Sequence, residues 1–193
     1  MLRVNIIGNG VFGTFLREYL KDHVEFSDEA FHIIMAVPVS AYLDVARRNR
    51  GKHLINVCSV QENTNKICAE YSDYVTGIHP MFGPNSPEEG RTCIVTKTCD
   101  TFSPDIIRIF EFKGCEIVTG IKGNFMTGKI HDDIMRKTHL PVLSFGELAA
   151  LIIQNAGDIP DNCLPPSYKK LKALADQMKD MSPGTVESIR SNL

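Results

Sequence analysis

Short apolar runs rich in β-branched residues alternate with helical segments over the first two thirds of the chain, and this alternation limits the fold most strongly. The strand-like runs are residues 2–7, 23–26, 31–39, 53–60, 74–79, 92–98 and 115–118. Helical spacing covers residues 12–20, 40–48, 62–71 and 104–114. Because parallel strands need a crossover connection, usually a helix, the pattern predicts an α/β fold with a mainly parallel sheet and helices on both faces.

The alternation stops near Gly123, and the apolar spacing beyond it is helical. Helical patterns cover residues 130–135, 140–154, 168–181 and 185–192, with breaks at 157–160 and 165–166. We therefore predict an α/β domain over residues 1–123 and an all-helical, dimerisation-type segment over residues 124–193.

Composition excludes several classes of protein. The net charge of −2 argues against a nucleic-acid-binding surface, which needs clustered Lys and Arg. No apolar run approaches the length of a membrane span, and the amino terminus lacks a leader pattern. The six cysteines have no spacing typical of a metal site or a disulfide framework. We expect a cytoplasmic protein with reduced thiols, no metal, and neither a nucleic-acid nor a membrane partner.

The sequence GNGVFG at residues 8–13 lies between a predicted strand and a predicted helix, which is the context of a dinucleotide-binding turn. Gly8 permits a tight turn, Gly10 lets the backbone approach a pyrophosphate, and Gly13 allows the helix to pack on the sheet. We therefore predict a Rossmann-like fold with a cofactor site at Gly8, Asn9, Gly10, Val11, Phe12 and Gly13. The alternative is a glycine turn that serves only the packing of helix on strand.

The adenosine half of such a site has less support in the sequence than the pyrophosphate half. Its acidic residue normally follows the second strand, where the candidates are Glu25 and Asp28. Only 17 residues separate Gly13 from Phe31, fewer than a helix, a strand and a second helix need. We expect a rudimentary second strand.

The sequence HPMFGP at residues 79–84 places a histidine in a stiff frame at the end of a predicted parallel strand. That end of an open α/β sheet is where ligands bind. Pro80 and Pro84 each fix a backbone angle, and Pro80 favours an extended His79. His79 is a candidate general base; the alternative is a histidine that hydrogen-bonds locally at a strand end.

Several segments together resemble the prephenate/arogenate dehydrogenase family over nearly the whole chain. GIHPMFGP (77–84) is similar to the histidine loop of that family, VCSV (57–60) to its serine-ended strand, and IHDDIM (130–135) to its His-Asp segment. The segments PPSYKKL (165–171) and SPGTVESIRSN (182–192) are weaker matches. The resemblance implies an oxidoreductase of tyrosine biosynthesis, a branch of aromatic amino acid biosynthesis, that uses NAD or NADP to oxidise and decarboxylate prephenate.

The resemblance also implies roles for individual residues. His79 would accept the hydroxyl proton of the substrate, and Ser59 would orient the imidazole or contact the same hydroxyl. The backbone at Val37 and Pro38 would meet the nicotinamide carboxamide. His131, His139 and Gln177 would contact the substrate, although His131 with Asp132 could equally serve the start of a helix. Family members form homodimers through the helical domain, and we expect the same here.

Three departures from the family pattern leave alternatives open. Gln61 stands where the family has a lysine, Gln177 aligns with an arginine that binds a substrate carboxylate, and the helical segment is shorter than usual. A neutral amide cannot replace a bidentate guanidinium. The substrate could therefore be arogenate or another cyclohexadienyl acid, or the protein could be a catalytically silent, dehydrogenase-like dimer that binds a ligand.

Overall fold

A seven-stranded, mostly parallel sheet forms the centre of the computed structural model, with strand order β2-β1-β3-β4-β5-β6-β7. The structure describes residues 1–179 and 183–193, with the side chains of residues 177–179, 183–185 and 188 left aside. The strands are β1 (Leu2–Ile7), β2 (Val24–Phe26), β3 (His32–Met35), β4 (His53–Asn56), β5 (Val75–Pro80), β6 (Thr92–Lys97) and β7 (Glu116–Val118). Only the β5–β6 pair is antiparallel within this sheet. The predicted α/β, Rossmann-like fold is confirmed.

Four helices connect the strands, and each follows the helical spacing of the sequence. They are α1 (Val11–Leu20), α2 (Tyr42–Arg48), α3 (Glu62–Tyr71) and α4 (Ser103–Phe112). The buried side of α1 consists of Gly13, Leu16, Tyr19 and Leu20, which recur at helical intervals. Pro104 lies in the first turn of α4, and Gly114 follows that helix with φ of +79°, as expected for its start and end.

Both faces of the sheet are covered, because successive strand residues point to opposite sides. Ile34 packs in the core cluster that contains Leu16 of α1 and Phe110 of α4. Its neighbours in the strand, Ile33 and Met35, pack in the cluster that contains Tyr42 of α2 and Cys68 of α3. Two buried faces account for the nearly continuous apolar strands of the sequence.

The second strand is as short as its sequence suggested. β2 has three residues, and residues 27–31, which lead from it to β3, form a turn and no helix. The usual second helix of a doubly wound sheet is therefore missing between β2 and β3. The predicted strands over 31–39 and 53–60 are also shorter than expected, ending at Met35 and Asn56.

The chain packs as two units, Met1–Asp132 and Asp133–Leu193. The first also contains a small hairpin of β8 (Gly120–Ile121) and β9 (Asn124–Phe125). The second unit is helical, with most of α5 (Gly128–Ala156), then α6 (Pro166–Lys179) and α7 (Pro183–Asn192). The domain boundary after residue 123 stays a prediction.

The longest helix, α5, joins two segments that the sequence suggested separately. It runs through Pro141 without interruption, although proline removes one backbone hydrogen bond from a helix. One face of α5 is buried at Leu143 and Ala149, whereas Phe145, Leu148, Leu151 and Ile152 are exposed. No helix among the described residues combines the length and apolar character that crossing a bilayer requires.

Candidate active site

The register of the sheet brings the candidate residues to one edge. Ile7 pairs with Met35, Met35 with Asn56, and Asn56 with Gly77, so β1, β3 and β4 end in one row and β5 continues beyond that row to Pro80. The glycine turn, the 36–38 segment, Ser59 and His79 all follow this row. β2 and β3 lie on opposite sides of β1, so the order reverses at the end of β1, where open α/β sheets bind ligands.

The glycine turn is packed against the neighbouring strand end. Gly8 has φ of +126°, and a Cβ there would stand 2.1 Å from the carbonyl oxygen of Ala36. A Cβ on Gly13 would stand 2.2 Å from the carbonyl oxygen of Gly8. Both positions therefore require glycine for close packing, as the sequence predicted.

Gly10 serves a different purpose from the other two glycines. It is the N-cap of α1, has ordinary extended backbone, and a Cβ there would meet nothing within 4 Å. As a glycine, this N-cap has no side chain that could occupy the backbone N–H groups, and the first turn of α1 has no acidic residue. The start of α1 thus leaves open space beside backbone N–H groups and a favourable helix dipole, which fits a pyrophosphate.

Arg17 stabilises the turn from within α1. Its guanidinium donates to the carbonyl of Ile6 and, at 3.3 Å, to Oδ1 of Asn9. Val11 is exposed at the helix start, while Phe12 is half-buried against the core. These contacts fix the conformation of the glycine turn independently of a bound ligand.

The two candidate acids for a ribose differ in position. Glu25 pairs with Arg3 at 3.3 Å, opposite the beginning of β1 and away from the glycine turn. Asp28 is exposed and follows the end of β2, where its carbonyl accepts a hydrogen bond from Asn5 at 3.4 Å. Of the two, Asp28 lies on the side of the sheet edge that a ribose would occupy.

Val37 and Pro38 follow β3 directly beside the glycine turn. The backbone N–H of Ala36 donates to Ile7 at 2.8 Å, which ties this segment to the end of β1. Val37 is half-buried and Pro38 is exposed at the start of a short 3₁₀ turn, Val39–Ala41. Their predicted contact with a nicotinamide carboxamide stays a prediction.

His79 lies near the end of β5, beyond the last residue that pairs with β4. On its other side it pairs with Ile94 of β6, and Pro80 pairs with Cys93. The missing N–H of Pro80 costs no ladder bond on the β4 side, because that pairing has already ended at Gly77. His79 is only 4% exposed, which is more burial than the sequence suggested.

Phe82 anchors the loop that follows His79. It is buried and contacts the rings of Phe15 and Tyr19, with centroid separations of 6.2 and 5.5 Å. The Arg91 guanidinium lies 5.0 Å from the Phe82 ring centroid and donates to the carbonyls of Ser86 and Pro87. The HPMFGP frame is therefore held by core packing as well as by its prolines.

A chain of buried polar groups leads away from His79. Its Nδ1 atom lies 2.8 Å from Nε2 of His131, whose Nδ1 atom lies 2.7 Å from Oδ1 of Asp132. The Asp132 carboxylate in turn accepts the backbone N–H groups of Gln61 and Glu62, at 2.9 and 2.8 Å. Asp132 thus caps α3 rather than the helix that contains it. This connection joins residues far apart in the sequence, and no local pattern predicted it.

A second polar network fills the space beside this chain. Asn56, Gln61, Thr64, Asn65 and Thr96 are all buried and hydrogen-bonded to one another. Gln61, which the sequence marked only as a missing cation, is fully buried and donates to the carbonyl of Cys58 at 2.6 Å. Every buried side-chain nitrogen and oxygen among the described residues has a partner. An ammonium group at residue 61 would require different surroundings.

Cys58 adjoins this network and is a neutral thiol at physiological pH. Burial raises the pKa of Cys58 to about 11, and the nearby Asp132 carboxylate acts in the same direction. A thiolate nucleophile is therefore unfavourable here. Ser59, the neighbouring residue, is half-buried between β4 and α3; its predicted role stays a prediction.

The two other candidate substrate contacts belong to the helical unit. His139 is half-buried on α5. Gln177 lies in α6, and its side chain is outside the described residues. Their contact with substrate stays a prediction. Among the described residues, no three His, Cys, Asp or Glu side chains are arranged to hold a metal ion.

The strand order, the reversal beside β1 and the glycine turn together define a Rossmann-like fold, and solved structures with this fold include the family that the sequence resembles. A candidate prephenate dehydrogenase from Corynebacterium glutamicum has a TM-score of 0.68 at 18% identity, over 99% of this chain and 74% of that one. Prephenate dehydrogenase from Aquifex aeolicus, in complex with hydroxyphenyl propionate and NAD+, has a TM-score of 0.63 at 15% identity, over 98% and 82%. Synechocystis arogenate dehydrogenase has a TM-score of 0.62 at 15% identity, over 99% and 84%.

The resemblance to prephenate and arogenate dehydrogenases is thus confirmed at the level of the fold, which is that of prephenate dehydrogenase-like oxidoreductases. No protein-family model matches the sequence. No curated protein matches it either.

Proposed function

We propose that this chain binds NAD or NADP and catalyses the oxidative decarboxylation of prephenate, with His79 as the base for the ring hydroxyl. The observation that carries the proposal is the hydrogen-bonded chain from His79 through His131 to Asp132, at the sheet edge that also holds the glycine turn. A buried imidazole supported by a carboxylate is suited to accept a proton.

The cofactor assignment is supported by residues of this chain. Gly8 and Gly13 allow the tight turn, Gly10 leaves room for the pyrophosphate, and the start of α1 offers backbone donors. When bound, the nicotinamide would accept the hydride from the carbon that bears the hydroxyl. A solved structure of the same fold contains NAD+.

His79 and Ser59 would have different roles in the transfer of the hydroxyl proton. His79 takes the hydroxyl proton while the hydride departs, and Ser59 orients the imidazole or contacts the same hydroxyl. Carbon dioxide leaves as the ring becomes aromatic. His79 is 4% exposed, so its imidazole is largely shielded from bulk water.

Two observations favour a second candidate, a catalytically silent dehydrogenase-like protein that binds a ligand. They are the burial of His79 and the three-residue β2 with no helix after it. The intact glycine turn and the supported imidazole favour the enzyme. We propose a cytoplasmic homodimer in either case, with the exposed apolar face of α5 as the contact between copies.

One experiment separates these candidates. Thermal unfolding is measured with increasing NAD, NADH, NADP and NADPH, because a ligand present at 100 times its Kd stabilises the folded state by about 2.7 kcal/mol. The protein is then incubated with prephenate and with arogenate while the nicotinamide absorbance is followed. Turnover of prephenate supports the proposal, turnover of arogenate alone changes the substrate, and cofactor binding without turnover supports the silent candidate.

A further inference from the structure

Only one hydrogen atom can lie between the two ring nitrogens by which His79 and His131 are in contact. Nδ1 of His79 and Nε2 of His131 are 2.8 Å apart, so one nitrogen donates and the other accepts. The two possibilities have opposite chemical consequences. If His79 donates through Nδ1, its lone pair is on Nε2; if it accepts, its Nε2 carries hydrogen and cannot act as a base.

Asp132 decides between the two possibilities. Its two oxygens accept backbone N–H groups from Gln61 and Glu62 at the start of α3, where the helix dipole stabilises a negative charge. A carboxylate in this position only accepts hydrogen bonds. The Nδ1 atom of His131, 2.7 Å from Oδ1 of Asp132, therefore carries hydrogen. In neutral His131 the lone pair then lies on Nε2, facing His79.

We propose that Asp132 and His131 are positioning residues that hold neutral His79 in its Nδ1–H form and take over the positive charge when His79 accepts a proton. The catalytic part of this proposal depends on the proposed function, whereas the position of the hydrogens is a property of the free protein. His131 acts through His79 in this arrangement rather than by contacting the substrate.

The proton transfer balances without another reactant. The O–H bond of the substrate breaks as an N–H bond forms at Nε2 of His79. The Nδ1–H bond of His79 then breaks as an N–H bond forms at Nε2 of His131. One proton enters the pair and none leaves, and the resulting imidazolium lies beside the Asp132 carboxylate.

The surroundings favour this movement of charge. His131 and Asp132 are 0% and 3% exposed, so water screens their attraction weakly. Of the titratable groups next to this hydrogen-bonded chain, the Cys58 thiol is neutral, and the Glu62 side chain is paired with Lys66 at 2.8 Å. Asp133, the next residue on α5, is paired with Arg136 at 2.6 Å. Among the described residues, the carboxylate that contacts this imidazole pair at 2.7 Å is that of Asp132.

The first test reads the hydrogens directly in the protein without substrate. Nitrogen-15 NMR of histidine-labelled protein distinguishes ring nitrogens that carry hydrogen from those that do not. In neutral His79 and in neutral His131 we expect hydrogen on Nδ1 and no hydrogen on Nε2. A neutral His79 with hydrogen on Nε2 would overturn the proposal, whether or not the protein turns over prephenate.

The second test uses Asp132→Asn with Asp133→Asn as its control. We expect Asp132→Asn to lower kcat roughly tenfold to a hundredfold, within the range of general acid–base effects, while KM and the Kd of NAD change less than about twofold. Asp133→Asn should retain the kcat of the unchanged protein. Equal kcat in the two variants would contradict the positioning role.

A third variant covers the case in which Asp132→Asn does not fold, since Asp132 also caps α3. His131→Leu removes the acceptor but keeps the bonds between Asp132 and α3. In this variant we expect neutral His79 to be a mixture of two tautomers, one with hydrogen on Nδ1 and one with hydrogen on Nε2, rather than the Nδ1–H form alone. A His79 that stays wholly in the Nδ1–H form without His131 would refute the proposal.

Discussion

Gly13 in α1 lies against the carbonyl oxygen of Gly8, so closely that a Cβ at residue 13 would stand 2.2 Å from that oxygen. Gly10, between them in the sequence, faces open space. One glycine is therefore required by packing and the other is left for a ligand. The packing role and the ligand-binding role can be tested separately by the same substitution, glycine to alanine, at each of these two positions.

We expect Gly13→Ala to destabilise the protein and Gly10→Ala to impair only cofactor binding. The first forces a methyl group into backbone, which costs about 1–3 kcal/mol or more. The second changes the free energy of unfolding by less than about 1 kcal/mol, but raises the Kd of NAD at least tenfold because the methyl occupies the pyrophosphate space. Urea unfolding and cofactor titration measure both quantities. Unchanged NAD affinity in Gly10→Ala would contradict a phosphate site at the start of α1.

His79→Asn should remove turnover and leave cofactor binding intact. Asparagine can still hydrogen-bond to His131 but cannot act as a base, so kcat should fall about 10²- to 10⁴-fold while the Kd of NAD changes less than about twofold. Steady-state kinetics and cofactor titration provide the measurement, with His23→Asn, in the turn after α1, as the control. Loss of NAD binding in His79→Asn would count against the assigned role.

His53 should make the protein less stable as the pH falls below about 6.5. It is fully buried, with Nδ1 2.8 Å from Nδ1 of His32 and Nε2 2.8 Å from Oγ1 of Thr76. Burial lowers the pKa of His53 to about 3, and the nearby His32 acts in the same direction. The unfolded chain binds a proton near pH 6.5 that the folded protein does not, so the stabilisation present above that pH is lost progressively towards pH 3.

The expected loss from this single histidine between pH 7.5 and pH 5 is about 2 kcal/mol in the free energy of unfolding. Urea unfolding at the two pH values measures it. His53→Gln should reduce the difference between them, whereas His23→Gln should retain it. The same difference in all three proteins would show that another group causes the pH dependence.

The exposed apolar face of α5 predicts self-association. Phe145, Leu148, Leu151 and Ile152 are each more than 40% exposed on a helix whose other face is buried. Leu148→Glu should convert a dimer to a monomer, because it places a charge within an apolar contact. Phe112→Glu, an exposed apolar residue on α4, should leave the dimer unchanged. Sedimentation equilibrium of the protein without substitutions and of the two variants measures their oligomeric states. A monomer for the protein without substitutions would refute the contact.

The sequence was informative wherever structure depends on neighbours along the chain. The alternating runs predicted the strands and helices of the α/β region, and the short interval after Gly13 predicted the three-residue β2. The requirement for glycine at residues 8 and 13 was also predictable, because a strand that runs directly into a helix needs a tight turn. The helix through Pro141 was not, since propensity describes the helix locally and packing overrides it.

The chain of hydrogen bonds from His79 to α3 was decided only by the tertiary structure. The sequence identified His79 and His131 separately. They are 52 residues apart in the chain, and their contact depends on where β5 ends and where α5 begins. Asp132 was interpreted as an acid for its own helix, whereas its carboxylate reaches the start of α3. Hydrogen-bond partners that meet across a fold depend on ångström-scale packing, and a pattern of neighbouring residues contains no information about such distances.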